Sequence, residues 1–316
     1  MVEFGYALSA EEHPPNDLVR HARLAEEAGF TFALISDHYH PWVDQQGHAP
    51  FVWSVLGAIA QATTRLNLGT GVTCPTVRIH PAIIAQAAAT VTAMMPGRFF
   101  LGVGSGENLN EHILGDHWPP APVRQDMLRE AVAVIRQLWE GGYQSFDGQF
   151  YTVENARIYT LPEEPPGIIL AAGGPSAASL AAEVADGIWT VGPNSELLET
   201  FTEKGGSGPR YGQATVCWAA NEDEAKKTAY EWWPNAAIGG ELGQELPLPR
   251  HFEQAAQLVS PDDLAESLPL GPDPDRHVES IKAFVDAGYD HVYIHQIGPD
   301  QDGFFDFFER ELATRL

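Results

Sequence analysis

Asp37-His38-Tyr39-His40-Pro41-Trp42 brings an acid, two imidazoles and an indole within six residues. A histidine titrates near neutral pH, so His38 can serve as a general base, and a carboxylate beside it can orient the ring and raise its basicity. The plainer reading is a hydrogen-bonded structural pair, and neighbours on a strand point to opposite faces, which would hold Asp37 and His38 apart. The pair His38-x-His40 also fits two metal ligands on one strand face, which leads to a metal-dependent barrel hydrolase. Such an enzyme needs further ligands, yet His112, His117 and His295 are the only plausible histidine suppliers and none stands in a ligand-like pair. Because Pro41 biases His40 toward an extended turn, the two rings need not share an aim. Acid–base use therefore ranks above metal binding, and no metal ligand is assigned.

A second constellation is Gly104-Ser105-Gly106-Glu107-Asn108-Leu109-Asn110-Glu111. It resembles half of a dinucleotide fingerprint, but Asn110 stands where a third glycine would be. Small residues here would let a planar ring approach the backbone, with Glu107 as a possible acid. Equally, Ser105 and Glu107 could simply cap a helix. A third, Ala172-Gly173-Gly174-Pro175, offers free N–H groups and a helix start, which suit a phosphate. Read blandly it is a turn, and with no Walker lysine beside it ATP chemistry is not supported.

These groups need a scaffold that brings them together. Strands are expected at Glu3 to Leu8, Phe32 to Ser36, Leu66 to Gly69, Phe99 to Val103, Ile168 to Ala171, Gly187 to Val191, Ala214 to Trp218 and His291 to His295. Helical periods follow them at Asn16 to Ala28, Val52 to Thr63, Pro81 to Met94, Val123 to Trp139, Ala177 to Ala185, Glu196 to Lys204, Glu222 to Trp233 and Phe304 to Leu312, with one more, Asp275 to Ala287, before the last strand. Eight such units without a linker predict a single α/β domain over 1–316, a (β/α)8 TIM barrel, whose chemistry sits on the loops after the strands. Two stretches break the repeat. Gln144 to Pro166 reads as a hairpin inserted after strand 4, and Pro234 to Pro274 as an insertion after strand 7 long enough to serve as a lid. The Trp232-Trp233 pair and the Phe304-Phe305-x-Phe307-Phe308 run read as core or an oligomer contact, with no catalytic role.

Composition narrows the function further. The 316 residues carry 18 Lys and Arg against 43 Asp and Glu, a formal charge of -25. That field repels phosphate backbones and anionic lipid, so nucleic-acid and membrane partners are not expected. No apolar run reaches the length of a membrane span. The first residues lack the pattern of a signal peptide, and two cysteines cannot build a disulfide framework, so a cytoplasmic location is expected.

Taken together, Ile35 to Trp42, Gly102 to Glu111 and Ala171 to Pro175 resemble the luciferase-like oxidoreductase superfamily, within it the coenzyme F420-dependent glucose-6-phosphate dehydrogenase-like branch. The likeness runs nearly end to end. It implies a bacterial-luciferase-like TIM barrel holding a deazaflavin, two-electron hydride transfer at its C5, and a homodimer, for which the aromatic C-terminal helix is one candidate surface. By the same likeness His38 takes a proton from a substrate hydroxyl, Glu107 is the partner acid, and Trp42 shapes the substrate face beside Glu11. Asp37, Cys74, Ser105 and Asn110 would contact the cofactor, Gly173 and Gly174 would bind its phosphate, and a cis peptide at Gly71-Val72 would back the ring.

One departure bears on the substrate. Where the glucose-6-phosphate enzymes hold phosphate with Lys and Arg, this chain reads Gly192-Pro193-Asn194-Ser195, Glu241-Leu242-Gly243-Gln244-Glu245 and Glu266-Ser267-Leu268. A phosphodianion among those carboxylates meets repulsion. The expected substrate is therefore a small molecule, a neutral secondary alcohol, sugar hemiacetal or its carbonyl, and not glucose 6-phosphate. The alternatives are an FMN-dependent monooxygenase of the same superfamily, the metal-dependent hydrolase, and a deazaflavin carrier without turnover, against which His38 and Glu107 argue.

Overall fold

The computed structural model describes residues 2–316; Met1, the first residue of the expected domain, lies outside them. Ten strands are present: β1 Glu3–Leu8, β2 Phe32–Ile35, β3 Asn67–Thr70, β4 Phe99–Val103, β5 Gln144–Asp147, β6 Thr152–Ala156, β7 Ile168–Ala171, β8 Gly187–Val191, β9 Arg210–Val216 and β10 His291–Gln296. Eight of them close a barrel in the order β1-β10-β9-β8-β7-β4-β3-β2, every neighbouring pair parallel. The expected TIM barrel is formed, and β1 pairs with β10, so the two ends of the chain complete one sheet.

The barrel separates two apolar layers. Inside lie Phe32, Leu34, Ile169, Tyr211 and Tyr293, with Phe100 and Trp189 packed against them. Outside, the alternate strand residues meet the helices: Tyr6, Leu8, Ile35, Leu68, Leu101, Leu170 and Ile294 belong to the large cluster shared with Leu18, Leu56, Ile84, Ile135 and Phe201. A strand buried on both faces reads as a continuous apolar run, which is why β2 (Phe-Ala-Leu-Ile) was easy to locate. β9 was not. It begins at Arg210 and ends at Val216, where the sequence suggested Ala214 to Trp218. Gly212 interrupts its pattern, and a side chain there would come within 2.5 Å of the Phe284 ring, so the missing Cβ makes room for the helix Pro274–Asp286.

Helix starts also shift. The helices Pro15–Glu27, Pro175–Val184 and Pro274–Asp286 open one or two residues earlier than expected because proline itself takes the first helical position, where no N–H is needed. The C-terminal segment is an α-helix, Gln301–Phe307, started by the Asp300 carboxylate accepting from Gly303 N (2.9 Å), and then a π-helical turn, Phe308–Leu312. Its aromatic run is core. Phe305 packs on Tyr6 and Phe308 on Phe30, all buried, which removes that run as the dimer surface suggested by the sequence.

Both insertions have structure. β5 and β6 form the expected antiparallel hairpin, and the Glu130 carboxylate accepts from the N–H groups of Gln149, Phe150 and Tyr151 at its turn. The segment 234–274 contains a 3-10 turn, Pro234–Ala237, and three short α-helices, Leu242–Glu245, Pro249–Ala256 and Pro261–Ser267, and its residues from Asn235 to Gln244 border the C-terminal end of the barrel. Among the described residues no helix is long and apolar enough to cross a membrane.

Candidate active site

A cavity of about 810 Å³ opens at the C-terminal ends of the strands. Glu11, Ser36, His38, Trp42, Gly71, Val72, Ser105, Glu107, Gly173 and Gly174 line it, so five separated stretches of sequence meet in one wall. Of the residues singled out from sequence, Asp37, Cys74 and Asn110 do not line it. They lie directly behind, buried.

His38 stands between two carboxylates. Its Nε2 is 3.9 Å from Glu107 Oε2 and its Nδ1 is 3.2 Å from Glu11 Oε1, although the latter lies off the hydrogen-bonding axis. Glu11 is almost fully buried and is fixed by Ser36 Oγ (2.5 Å) and Ser9 Oγ (3.2 Å), both donating to Oε2. The carboxylate beside the ring is thus Glu11, not Asp37, as the alternation of side chains along a strand allows. The His38 ring meets Trp42 edge-on at 5.1 Å. His40 goes elsewhere: its Nδ1 lies 2.8 Å from Leu109 O and its ring stacks on His112. The two histidines share no aim, and among the described residues no group of three or more His, Cys, Asp and Glu is arranged to hold a metal.

Asp37 takes part in a buried ionic layer that supports this wall. Its carboxylate accepts from Arg78 (3.1 Å) and from Thr73 Oγ1 (2.8 Å), and Arg78 lies between it and Glu111, whose carboxylate accepts from Arg78 N (2.7 Å). Burial pushes the Glu111 carboxyl up to about 7 against the pull of Arg78, and the same two acids hold the Arg78 guanidinium above its ordinary value despite its burial. Asn110 braces the loop that bears His38: its Oδ1 accepts from Tyr39 N (2.9 Å) and His40 N (3.1 Å), while its Nδ2 donates to Glu107 Oε2 (3.3 Å).

The loop after β4 explains its glycines. At Gly104 a Cβ would come within 2.7 Å of Val72, and at Gly106 the backbone is left-handed (φ 81°) with Cys74 Sγ 2.6 Å from any added Cβ. Cys74 therefore packs beneath the loop, and burial raises its thiol pKa well above the ordinary value. Glu107, not Ser105, occupies the N-cap position of the short helix Asn108–Glu111, and its side chain, free of capping, faces the cavity. The Gly71–Val72 peptide is cis, as expected. Gly174 is the N-cap of the helix Pro175–Val184, and neither Gly173 nor Gly174 has an atom within 4 Å of where a Cβ would stand. Ser176 and Ala177, in the first turn of that helix, line the cavity, and first-turn N–H groups without an intrahelical partner suit an anion.

Several lining residues escaped the sequence reading. Trp189 Nε1 donates to Tyr293 Oη, which donates to Gln213 Oε1, each at 2.7 Å, a polar chain across the barrel floor. Their signal was an inward polar or aromatic position late in a strand, visible only once the strand's phase is known. Trp233, expected to be core or an oligomer contact without a catalytic role, lines the cavity against His295, and Gln244 of the lid also lines it. No Lys or Arg is among the lining residues.

The comparisons with known proteins agree with this architecture. The model of the luciferase-like monooxygenase family matches residues 1–291. The F420-dependent glucose-6-phosphate dehydrogenases of Microbacterium testaceum and Nocardia farcinica are 37% and 39% identical, over 100% of this chain and 97% and 98% of theirs. Among solved structures, an F420-dependent secondary alcohol dehydrogenase in complex with an F420-acetone adduct superposes with a TM-score of 0.92 at 30% identity, covering 100% of this chain and 99% of that one. The F420-dependent tetrahydromethanopterin reductase from Methanopyrus kandleri, 24% identical with a TM-score of 0.79 over 99% of each chain, shares the fold. With most of its length matched by the family model and its whole length by these relatives, the chain belongs to the luciferase-like monooxygenase family.

Proposed function

We propose that the protein, acting as one domain, is an F420-dependent dehydrogenase or reductase that moves a hydride between the deazaflavin and a neutral secondary alcohol, sugar hemiacetal or corresponding carbonyl. The observation that carries this reading is a histidine held between two carboxylates in a cavity whose wall has no cation. Relatives named for F420, alike over the whole chain, support the cofactor. So do the residues present: Gly71, Gly104 and Ser105 are small residues that line the cavity and leave space for a planar ring, and the helix start after Gly174 suits its phosphate. FMN is the alternative ring; three monooxygenases that superpose on this chain are 19% identical or less and speak for the fold alone.

When bound, F420 supplies a two-electron hydride acceptor. His38 Nε2 takes the proton of the substrate hydroxyl while the hydride leaves the same carbon. Glu11, buried against Nδ1, stabilises the imidazolium that forms. Glu107, the more exposed of the two acids, serves as the partner acid, and Asn110 holds it. Trp42 fixes the ring plane of His38 and narrows the space for substrate. Glucose 6-phosphate fits poorly, since a dianion here would face Glu11, Glu107 and Glu241 with no Lys or Arg to meet it.

Titration with F420 and FMN tests the cofactor, with tight F420 and weak FMN binding expected. Reduction of F420 by 2-propanol, glucose and glucose 6-phosphate then tests the substrate, the phosphate ester being the poorest. His38→Ala should lower turnover on the order of a hundredfold or more, and near-normal turnover would remove His38 as the base.

A further inference from the structure

The pair Glu11–His38 has a counterpart on the other side of the same strand. β1 lies between β2 and β10, and the segment after it carries two consecutive carboxylates, Glu11 and Glu12. Glu11 meets His38, just after β2, at 3.2 Å; Glu12 Oε2 meets His295 Nε2, on β10, at 3.0 Å. Each imidazole packs against an indole, His38 on Trp42 at 5.1 Å and His295 on Trp233 at 4.5 Å. All four of these rings line one cavity.

The second pair is the more tightly defined. Glu12 Oε1 accepts from Gly298 N at 2.8 Å, so the carboxylate is anchored at both oxygens and His295 Nε2 is the nitrogen that donates to it. In the neutral ring Nδ1 is then the lone-pair nitrogen. It is buried and has no partner in the protein, on a side chain only 3% exposed. A buried polar atom without a partner is uncommon enough to need a cause, and His295 is among the residues that line the cavity.

We propose, resting on the reading of this cavity as an alcohol-oxidising site, that His295 Nδ1 accepts a hydrogen bond from a second hydroxyl of the substrate. The preferred substrate is then a neutral diol, polyol or sugar rather than a simple secondary alcohol. The backbones of β2 and β10 are two strand spacings apart, about 10 Å, a span that suits a guest with two polar groups a few bonds apart. The absence of Lys and Arg from the wall makes both groups uncharged.

The test compares 1,2-propanediol with 2-propanol, which differ by one hydroxyl, on the F420-loaded protein. The wild type should favour the diol in kcat/KM by about tenfold, the scale of one added hydrogen bond. His295→Leu should collapse that ratio toward one, and His295→Asn, whose amide oxygen stands near the position of Nδ1, should restore part of it. A merely structural role would lower both substrates together and leave the ratio intact, which would overturn the proposal. Thermal stabilisation of the F420 complex by the same two compounds separates this inference from the reaction beneath it. Diol-specific stabilisation lost in His295→Leu, without F420 reduction, upholds the hydroxyl site and removes alcohol oxidation. F420 reduction at the same diol preference in wild type and variant does the reverse, and no discrimination between the compounds in either measurement overturns the proposal.

Discussion

The two sides of the cavity are built by different physics. Behind His38, the wall is charge-braced: Asp37, Arg78, Glu111 and Asn110 are all buried and joined by side-chain hydrogen bonds to loops after three strands. The lid opposite is joined by an apolar seam, in which Phe252, Ile238 and Leu246 pack on Trp42, Val43 and Leu109. Its polar ties sit around that seam: Asp44 N donates to Glu253 Oε1 (3.1 Å), Asn108 Nδ2 to Glu245 O (3.0 Å), and Arg124 to Gln244 Oε1 (2.8 Å) and Glu245 Oε1 (3.3 Å). Its far part packs Leu264 and Leu270 with Ala225 and Ala229, and between these two contacts Leu258 is 89% exposed. Oriented hydrogen bonds fix atoms to fractions of an ångström, as proton transfer requires, whereas an apolar seam tolerates changes of side chain and lets the lid alter its inner face. Trp42 belongs to both sides, since it touches His38 and Phe252.

The largest effect should come from the braced wall. Arg78→Met leaves Asp37 and Glu111 buried without their cation and should cost about 3–5 kcal/mol in urea unfolding; a loss under about 1 kcal/mol would mean that the ionic layer does not hold the wall. Phe252→Ala empties the centre of the seam, worth roughly 3 kcal/mol of local packing. Because the seam closes only the lid, the variant should show a raised KM for alcohol more than a lowered global midpoint, and an equal fall in both would erase the distinction. Arg124→Met, which frees Gln244 and Glu245, should cost about 1–2 kcal/mol and speed proteolytic nicking between 240 and 246, with the barrel intact.

The smallest effect is a pH dependence. Glu111, at about 7 in the folded protein against an ordinary 4.5, binds its proton more tightly folded than unfolded. Its contribution to stability is therefore fully present below about 4.5 and lost as pH rises through about 7. Glu111→Gln, neutral throughout, should differ from wild type by a stability gap that changes across that window. A gap independent of pH would show that the carboxyl does not titrate there. His13 and His21, lowered by burial to about 4, act in the opposite sense: their contribution is present above 6.5 and lost as pH falls through about 4. Glu111→Gln removes the first slope and leaves the second.

Much of the barrel was legible because a closed parallel sheet imposes continuous apolar strands at regular intervals. β2 and β7 announced themselves in this way, whereas Gly212 hid the start of β9. His38, Glu107 and the Gly173-Gly174 turn could be found because strand-end polar residues and helix-start glycines have local reasons to be there. Their partners had no such local signal. Glu11 and Glu12 look like two solvated acids before a proline pair, and Trp233 like one more core aromatic.

The sequence by itself determined the order of the elements, the acidic surface and the types of groups available to the site, since these depend on composition and on periods of a few residues. Only the tertiary structure decided which acid serves which histidine, that Asp37, Cys74 and Asn110 stand behind the wall, and that His295 faces the same cavity as His38. Barrel closure brings β10 beside β1, joining residues 283 positions apart. Such pairing depends on strand register and the direction of each side chain, quantities that no local pattern in a chain encodes.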